Sequence, residues 1–415
     1  MQTAREPTRG PVDPALPGMP GPTITLAATT AVQVMAALAA LSVPAIAPAV
    51  AAATGEPASL VGAYVSLVYM GSAFAALVSG SLLAQFGALR LSQLALMLCA
   101  LALALGTSAS VAVLALSAVM LGLGYGPITP ASSHLLARST PLHRLAFTFS
   151  VKQTGVPAGV ALAGVLVPAI TVWLGWKPAL GAVAALCLGC AAAVQPLRGG
   201  LDHDHDPAAR TRTAGLLSGV RLVLASPPLR SMAALSFVYA GLQNCTSGFI
   251  VAYLVEALGY GWVGAGVGLT AANLGGVAGR VAWGVVSDRG LGARRTLLGL
   301  GGLMAVACAL AAAFSRQWPA WGVYATGALL GATAIGWNGV FLAEVARRAP
   351  AGKAGAATGG SLFVTFVGSV TWPPAFGLLL SVMRSYGICF AVCGALCAGA
   401  VTLAGFGWRA ATARG

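Results

Sequence analysis

The sequence predicts an all-α integral membrane protein, with twelve transmembrane helices arranged as two six-helix pseudo-repeat halves. Three observations predict it. First, 58% of the 415 residues are hydrophobic and only 8% are charged, with a mean hydropathy of +0.86; a soluble chain carries about a quarter charged residues. Second, the apolar residues gather in twelve long stretches. Third, Lys and Arg alternate strongly between successive connections.

The stretches lie near 24–50, 59–83, 91–108, 110–136, 146–170 and 178–196, then near 230–255, 263–286, 296–315, 319–344, 357–382 and 387–407. Most reach the ~20 residues that a spanning helix needs. None shows the alternating pattern of barrel strands. Abundant Gly and Ala suit close helix packing in lipid. The segment MQTAREPTRGPVDPALPGMPGP, residues 1–22, is too rich in proline for a helix and lacks the apolar run of a signal peptide. It is expected to be a flexible tail.

With the N-terminus in the cytoplasm, the cytoplasmic connections hold Arg5, Arg9, Arg90, Arg138, Arg144, Arg198, Arg210, Arg212, Arg221 and Arg230. They also hold Arg289, Arg294, Arg295, Arg347, Arg348, Lys353, Arg409 and Arg414, against only Lys177, Arg316 and Arg384 on the other side. This asymmetry follows the positive-inside rule and places both termini inside a plasma or inner membrane. It also accounts for the formal charge of +14 without a nucleic-acid partner. The eight cysteines all fall in predicted spans, including CLGC at 187–190 and the stripe Cys389, Cys393, Cys397, and read as packing residues.

The chain repeats itself. ARSTP (137–141) and ARRAP (346–350) each follow a Gly-rich span and precede another with proline toward its far end, Pro168 in one and Pro373 and Pro374 in the other. The shared layout sets halves at 23–197 and 229–409, a linker at 198–228 and a C-terminal tail at 410–415. Both halves begin on the same side, a parallel repeat.

GVVSDRGLGARR carries Gly284, Asp288, Arg289, Gly292, Arg294 and Arg295 between the eighth and ninth spans. This resembles the loop signature of the major facilitator superfamily, with one residue inserted before Gly292. The first half has a worn copy, GSLLAQFGALR: Gly80, Gly87 and Arg90 remain, but Ala84 and Gln85 stand where Asp and Arg are usual. The resemblance extends over nearly the whole chain. It implies the major facilitator fold, alternating access and a gate of charge contacts built on these loops. GVPAGVALAG (155–164) partly resembles the superfamily's exporter motif, but Val160 replaces its proline, so direction is left open.

In that fold the third, sixth, ninth and twelfth spans of the chain face lipid and the others line a central cavity. The cavity-type spans hold Gln33, Lys152, Gln153, Gln243, Asn244, Asn273, Arg280, Asn338 and Glu344. Polar groups in lipid are expensive, so their confinement has a cause. Helical spacing puts Asn273, Gly276 and Arg280 on one face, and Ser236, Tyr239, Gln243 and Ser247 on another. Trp337 and Glu344 are seven apart, and Tyr125, Thr129 and Ser132 share a side. Interhelical hydrogen bonding is the competing reading of such stripes.

Arg280 is the pivot. Its structural reading is a partner for Asp288 or Glu344. Its functional reading is an anchor for an anion, because guanidinium grips a carboxylate bidentately and keeps its proton. An arginine in this span resembles the oxalate/formate antiporter and monocarboxylate transporter branches, and that likeness implies contact with a substrate carboxylate. Lys152 either snorkels to the surface or supplies a second cation. No carboxylate stands mid-span in the first half, which favours an anionic cargo. If a proton is coupled, Glu344 and His134 are the candidate carriers.

GLGYGP (122–127) and GAGVG (264–268) lie within spans and are not nucleotide loops. DHDHD (202–206) reads as a solvated loop rather than a metal site. No catalytic constellation and no cofactor motif occur. The expectation is a monomeric, non-enzymatic secondary transporter of a small organic anion, with a substrate-binding set of Arg280, Lys152, Asn273, Gln153, Tyr239, Gln243, Asn244, Trp337, Asn338, Gln33 and Tyr125. The alternatives are an exporter of drug-like or hydrophobic metabolites and a non-transporting sensor or lipid-binding protein on the same fold.

Overall fold

The computed structural model describes residues 20–56, 60–204 and 217–412. Most of the 1–22 tail, His205 and Asp206, Arg210 and Arg212 of the linker, and the end of the 410–415 tail lie outside the described residues. All regular structure among the described residues is helical, as lipid requires of chains that must satisfy their backbone internally.

The first half contains α1 (Pro22–Ala45), α2 (Val61–Phe86) and α3 (Ala88–Leu105), then α4 in two pieces (Val111–Tyr125 and Ile128–Ser139), α5 in two pieces (Leu145–Gln153 and Gly155–Leu174) and α6 (Trp176–Ala193). The second contains α7 (Pro227–Ala252), α8 (Trp262–Val286), α9 (Gly292–Ala312), α10 in two pieces (Ala320–Leu330 and Asn338–Arg348), α11 (Ala354–Met383) and α12 (Tyr386–Thr412). Each expected span corresponds to one helix. Among the described residues eleven helical stretches are long and apolar enough to cross a membrane, because α8 and α9 run together as Trp262–Ala312 through a π turn at Ser287–Leu291. A short linker helix, Ser218–Ala225, lies against α11. The end of the bundle where α6 gives way to α7 is called the linker end below.

The buried apolar side chains fall into two clusters. One is built from α1–α6 with Ile46, Val50 of the short helix Ala47–Thr54 that follows α1, and Leu201 of the linker. The other is built from α7–α12 with Val223, and takes in Ala76, Leu136, Leu145, Ala146 and Phe149 of the first half. Those five residues stand toward the linker end, so there the two halves share one core. Outside the central interface, Gln93 of α3 donates to the Gln195 side chain at 2.8 Å, which pairs the amides of the two lipid-type spans.

Interruptions in three helices matter for the site. α4 is loosened at Gly126 and Pro127, α5 turns at Thr154, and α10 carries a π turn at Gly331–Ile335. Gly331 also fixes how closely α8 and α10 approach. A methyl group there would overlap the Ala272 carbonyl, and Gly279 meets Ala332 in the same way. In lipid, close packing is a main source of helix association. Gly331→Ala should therefore lower the melting temperature clearly, in line with overpacking penalties of about 1–3 kcal/mol. Gly299→Ala on α9, where a methyl meets open space, should not, and equal melting of the two variants would refute this account of the α8–α10 contact.

Candidate functional site

A cavity of about 600 Å³ lies between the halves. Its walls come from Ala37, Ala40 and Leu41 of α1, Val65, Val68 and Tyr69 of α2, and Val156, Pro157 and Val160 of α5. The second half contributes Gln243, Asn244 and Ser247 of α7 and Leu269, Asn273, Val277 and Arg280 of α8. On α1, α2 and α7 these residues stand away from the linker end, while those of α5 and α8 reach mid-span and Arg280 lies deeper still. With the linker end shut by close packing, the cavity opens on the opposite side. The upper walls are mostly apolar apart from Ser247 and Thr270, and Gln243, Asn244, Asn273 and Arg280 lie deeper. Beneath them is a smaller void of about 100 Å³, lined by Tyr125, Thr129, Gln153, Arg280, Trp337 and Asn338 among others. A separate recess of about 170 Å³ beside Val50 and Tyr64 is lined almost wholly by apolar groups and holds no comparable polar cluster.

Arg280 lines both the cavity and the void, yet is only 3% exposed. It meets neither Asp288 nor Glu344. Its Nε donates to the Ile335 carbonyl at 3.1 Å and its guanidinium also donates to the Gln153 carbonyl. Backbone chemistry leaves both acceptors open. The donor that would normally serve Gln153 is the N–H four residues on, and that residue is Pro157, which has none. Ile335 ends the π turn of α10, where the regular hydrogen-bond ladder is displaced. Arg280 thus spans the two halves through main-chain carbonyls, and no carboxylate stands near it among the described residues.

Lys152 does not line the cavity. It is 1% exposed, and its ammonium donates to Gln33 Oε1 at 2.6 Å, Gln153 Oε1 at 3.2 Å and Thr129 Oγ1 at 3.3 Å. It neither snorkels nor forms an ion pair; it is a charge one layer behind the wall, held by neutral acceptors. Gln33 stands in that layer too, whereas Gln153 and Tyr125 reach the void. Tyr239 also lies behind the wall: it is fully buried, its hydroxyl donates to the Leu297 carbonyl at 2.8 Å, and its ring packs edge-on against Trp337. The face assigned from helical spacing was too wide for this residue, which turns toward α9.

Gln243 Oε1 accepts from Trp337 Nε1 at 3.2 Å and from Asn338 Nδ2 at 3.1 Å, joining α7 to α10. Asn244 and Asn273 each donate back to their own helices, to Ala240 and Leu269. Their side-chain oxygens and the Gln243 amide remain polar lining for the cavity.

The linker end is closed. Gly284 of α8 and Gly339 of α10 press on Ser150 of α5, while Gly80 of α2 presses on Ala356 of α11. The sequence led to side-chain charge contacts for Asp288, but its carboxylate instead accepts from backbone N–H groups. The donors are Ala146 at 3.2 Å and Phe147 at 2.7 Å, in the first turn of α5. Such orphan donors favour an anion. Gly292, at φ +72°, lets the chain turn into α9. Arg289 and Arg295 are exposed and Arg294 is half-buried. In the first half Gly87, at φ +84°, leaves room for Asp202, where a Cβ would collide with its carboxylate.

Asp202 is a residue that the sequence reading missed. It is 2% exposed and accepts from Leu89 N–H at 2.7 Å and Arg90 N–H at 2.8 Å, capping α3. Asp204 pairs with His134 and Arg138, each at 2.7 Å. Asp202 is therefore docked, whereas His203 and Asp204 stay exposed to solvent, with Asp204 held by its pairs. Burial acts to raise the Asp204 carboxyl, but its bonds to His134 and the charge of Arg138 outweigh that and hold it below the ordinary carboxylate range. A depressed carboxyl contributes stability above its ordinary range and loses it on acidification, so these pairs are firm at neutral pH. Glu344 lies at the same end, paired with Arg347 at 3.0 Å and Arg348 at 2.9 Å. Both candidate proton carriers, His134 and Glu344, are thus remote from the cavity and already engaged.

Comparison with known proteins decides the family. Residues 29–373 match the model of the Major Facilitator Superfamily. The chain belongs to that superfamily. No curated protein matches it. Among solved structures, the E. coli fucose:proton symporter superposes with a TM-score of 0.74 at 15% identity, covering 94% of this chain and 99% of that one. The human organic anion transporter MFSD10 superposes at 0.73 and 15% identity, covering 93% and 100%. The proton:xylose symporter XylE superposes at 0.73 and 15%, covering 94% and 95%. This major facilitator protein is a multi-pass membrane transporter and not an enzyme.

Proposed function

We propose that this transporter moves a small organic anion, a carboxylate, across a plasma or inner membrane by alternating access, with its termini and linker end in the cytoplasm. Movement would be by exchange or together with a proton. The observation that carries the reading is Arg280: a buried guanidinium on the cavity wall, held by two carbonyls and lacking an acid. A membrane arginine costs about 2.5–3.5 kcal/mol on insertion scales. Carbonyl dipoles offset part of that, and an anionic cargo completes the pairing. Lys152 adds positive potential from behind, and Gln153, Gln243, Asn244, Asn273 and Asn338 supply donors and acceptors around the same floor. The mostly apolar upper walls accommodate the cargo's carbon skeleton. The positive-inside count supports the orientation, which makes the observed cavity outward-facing.

The test is uptake into proteoliposomes with a panel of labelled carboxylates. Saturable uptake of at least one, competed by other carboxylates and not by neutral sugars or cationic drugs, is the expected result. Transport of neutral or cationic compounds with indifference to carboxylates would replace this reading with the exporter of hydrophobic compounds.

A further inference from the structure

The two halves close the linker end unequally. Asp288 of the second half reaches across to cap α5 of the first. At the pseudo-equivalent position Ala84 has no carboxylate to send across to α11. Among the described residues the comparable capping acid, Asp202, serves α3 within its own half. Where the missing contact would fall there is a cavity of about 560 Å³. It is bounded by Ala84 and His134 from the first half, Asp204 and Arg221 from the linker, and Lys353 from the second half. Asp204 is engaged by His134 and Arg138. Arg221 and Lys353 face the cavity, and neither forms an ion pair among the described residues. Apart from Asp204, which is already engaged, the charged groups on this void among the described residues are the unpaired Arg221 and Lys353 of the linker and the second half, opposite a wall of the first half that lacks its acid.

We infer that this cavity is a second anion site, distinct from the central one, which takes a small oxyanion of the phosphate class from the cytoplasm. The anion replaces the carboxylate that Ala84 cannot supply. It joins Arg221 of the linker, which continues from the first half, to Lys353 of the second half beside Ala84 and so holds the cytoplasmic end shut, regulating the inward opening. The source is either free phosphate or the phosphoryl headgroup of an anionic lipid. The cytoplasmic placement rests on the orientation proposed above; the site itself does not depend on Arg280 or on the cargo being a carboxylate.

The test uses purified full-length protein in phosphatidylcholine nanodiscs, with a melting curve and a spectroscopic distance across the linker end. Inorganic phosphate, against chloride at equal ionic strength, should raise the melting temperature saturably and keep the distance short. If headgroups are the source, phosphatidylglycerol nanodiscs should give the same change and added phosphate should then do nothing more. Arg221→Gln with Lys353→Gln, both at exposed positions, should raise the half-maximal phosphate concentration at least tenfold. Ala84→Asp should give the short distance without phosphate and respond little to it. The inference is overturned if the wild type responds to neither source, if all variants respond alike, or if the response disappears only in Arg280→Lys, which would place the phosphate in the central cavity.

Discussion

Replacing Arg280 with lysine should weaken binding of a transported carboxylate by roughly ten- to a hundredfold. Lysine keeps the charge but loses the planar fork that meets both carboxylate oxygens. One charge-assisted contact is worth about 1.5–3 kcal/mol, which converts to that range of affinity. Lysine also cannot reach the Ile335 and Gln153 carbonyls and a ligand together, as the branched guanidinium can. Lys152→Met should cost less, because Lys152 acts from behind Gln33, Gln153 and Thr129 and touches no cargo. Calorimetric binding and melting measured on the same purified variants separate the possibilities. A folded Arg280→Lys protein with unchanged affinity would refute the anchor. An unstable protein whose surviving fraction binds normally would make Arg280 a structural tie between the halves.

Asp288→Asn should shift the protein toward the inward-open form. The aspartate's two oxygens accept from Ala146 and Phe147 at the positive end of α5, and the amide supplies one oxygen, no charge and a misplaced donor. Losing one of two charged acceptor contacts, at about 1–2 kcal/mol, moves a balanced equilibrium by roughly five- to thirtyfold. Cysteine accessibility from each side of the membrane measures this. Ala84→Asp should produce a smaller and opposite change, toward the closed linker end. Equal accessibility in the wild type and both variants would show that neither loop controls the gate.

Much of this architecture was legible because hydropathy and charge alternation act over whole spans, where single-residue errors average out. The superfamily loop in GVVSDRGLGARR was legible for a different reason, since its spacing is local. Local spacing also brought out Arg280 and Asn273 as neighbours on one face. What the sequence hid depends on contacts between distant segments. Asp202 is 113 residues from its partner Leu89, and nothing in DHDHD tells a docked aspartate from a solvated one. Tyr239 fits a polar stripe by period, but which flank of the stripe meets α9 is set by the rotation of α7 in the bundle. The partners of Arg280 are backbone atoms, which side-chain patterns do not advertise. One clue was present: Pro157 stands four residues after Gln153, and a proline at that distance leaves a helical carbonyl without its usual donor.

The carbonyl cradle of Arg280 has a consequence for the empty carrier. An arginine paired with an acid would make every incoming cargo compete with an internal rival. An arginine with nothing at all would leave a bare charge in lipid once the cargo departed, and the vacant protein would be trapped. Main-chain oxygens are neutral, so they would contest an anionic cargo less than an acid would, yet they remain in place as a resting berth in the vacant protein. Because Gln153 and Ile335 belong to opposite halves, that berth exists only while the halves stand close at this level. Opening at the linker end requires the halves to part there and thus removes one oxygen from the cradle. The return trip restores it, which gives the vacant protein a driving force to reset itself.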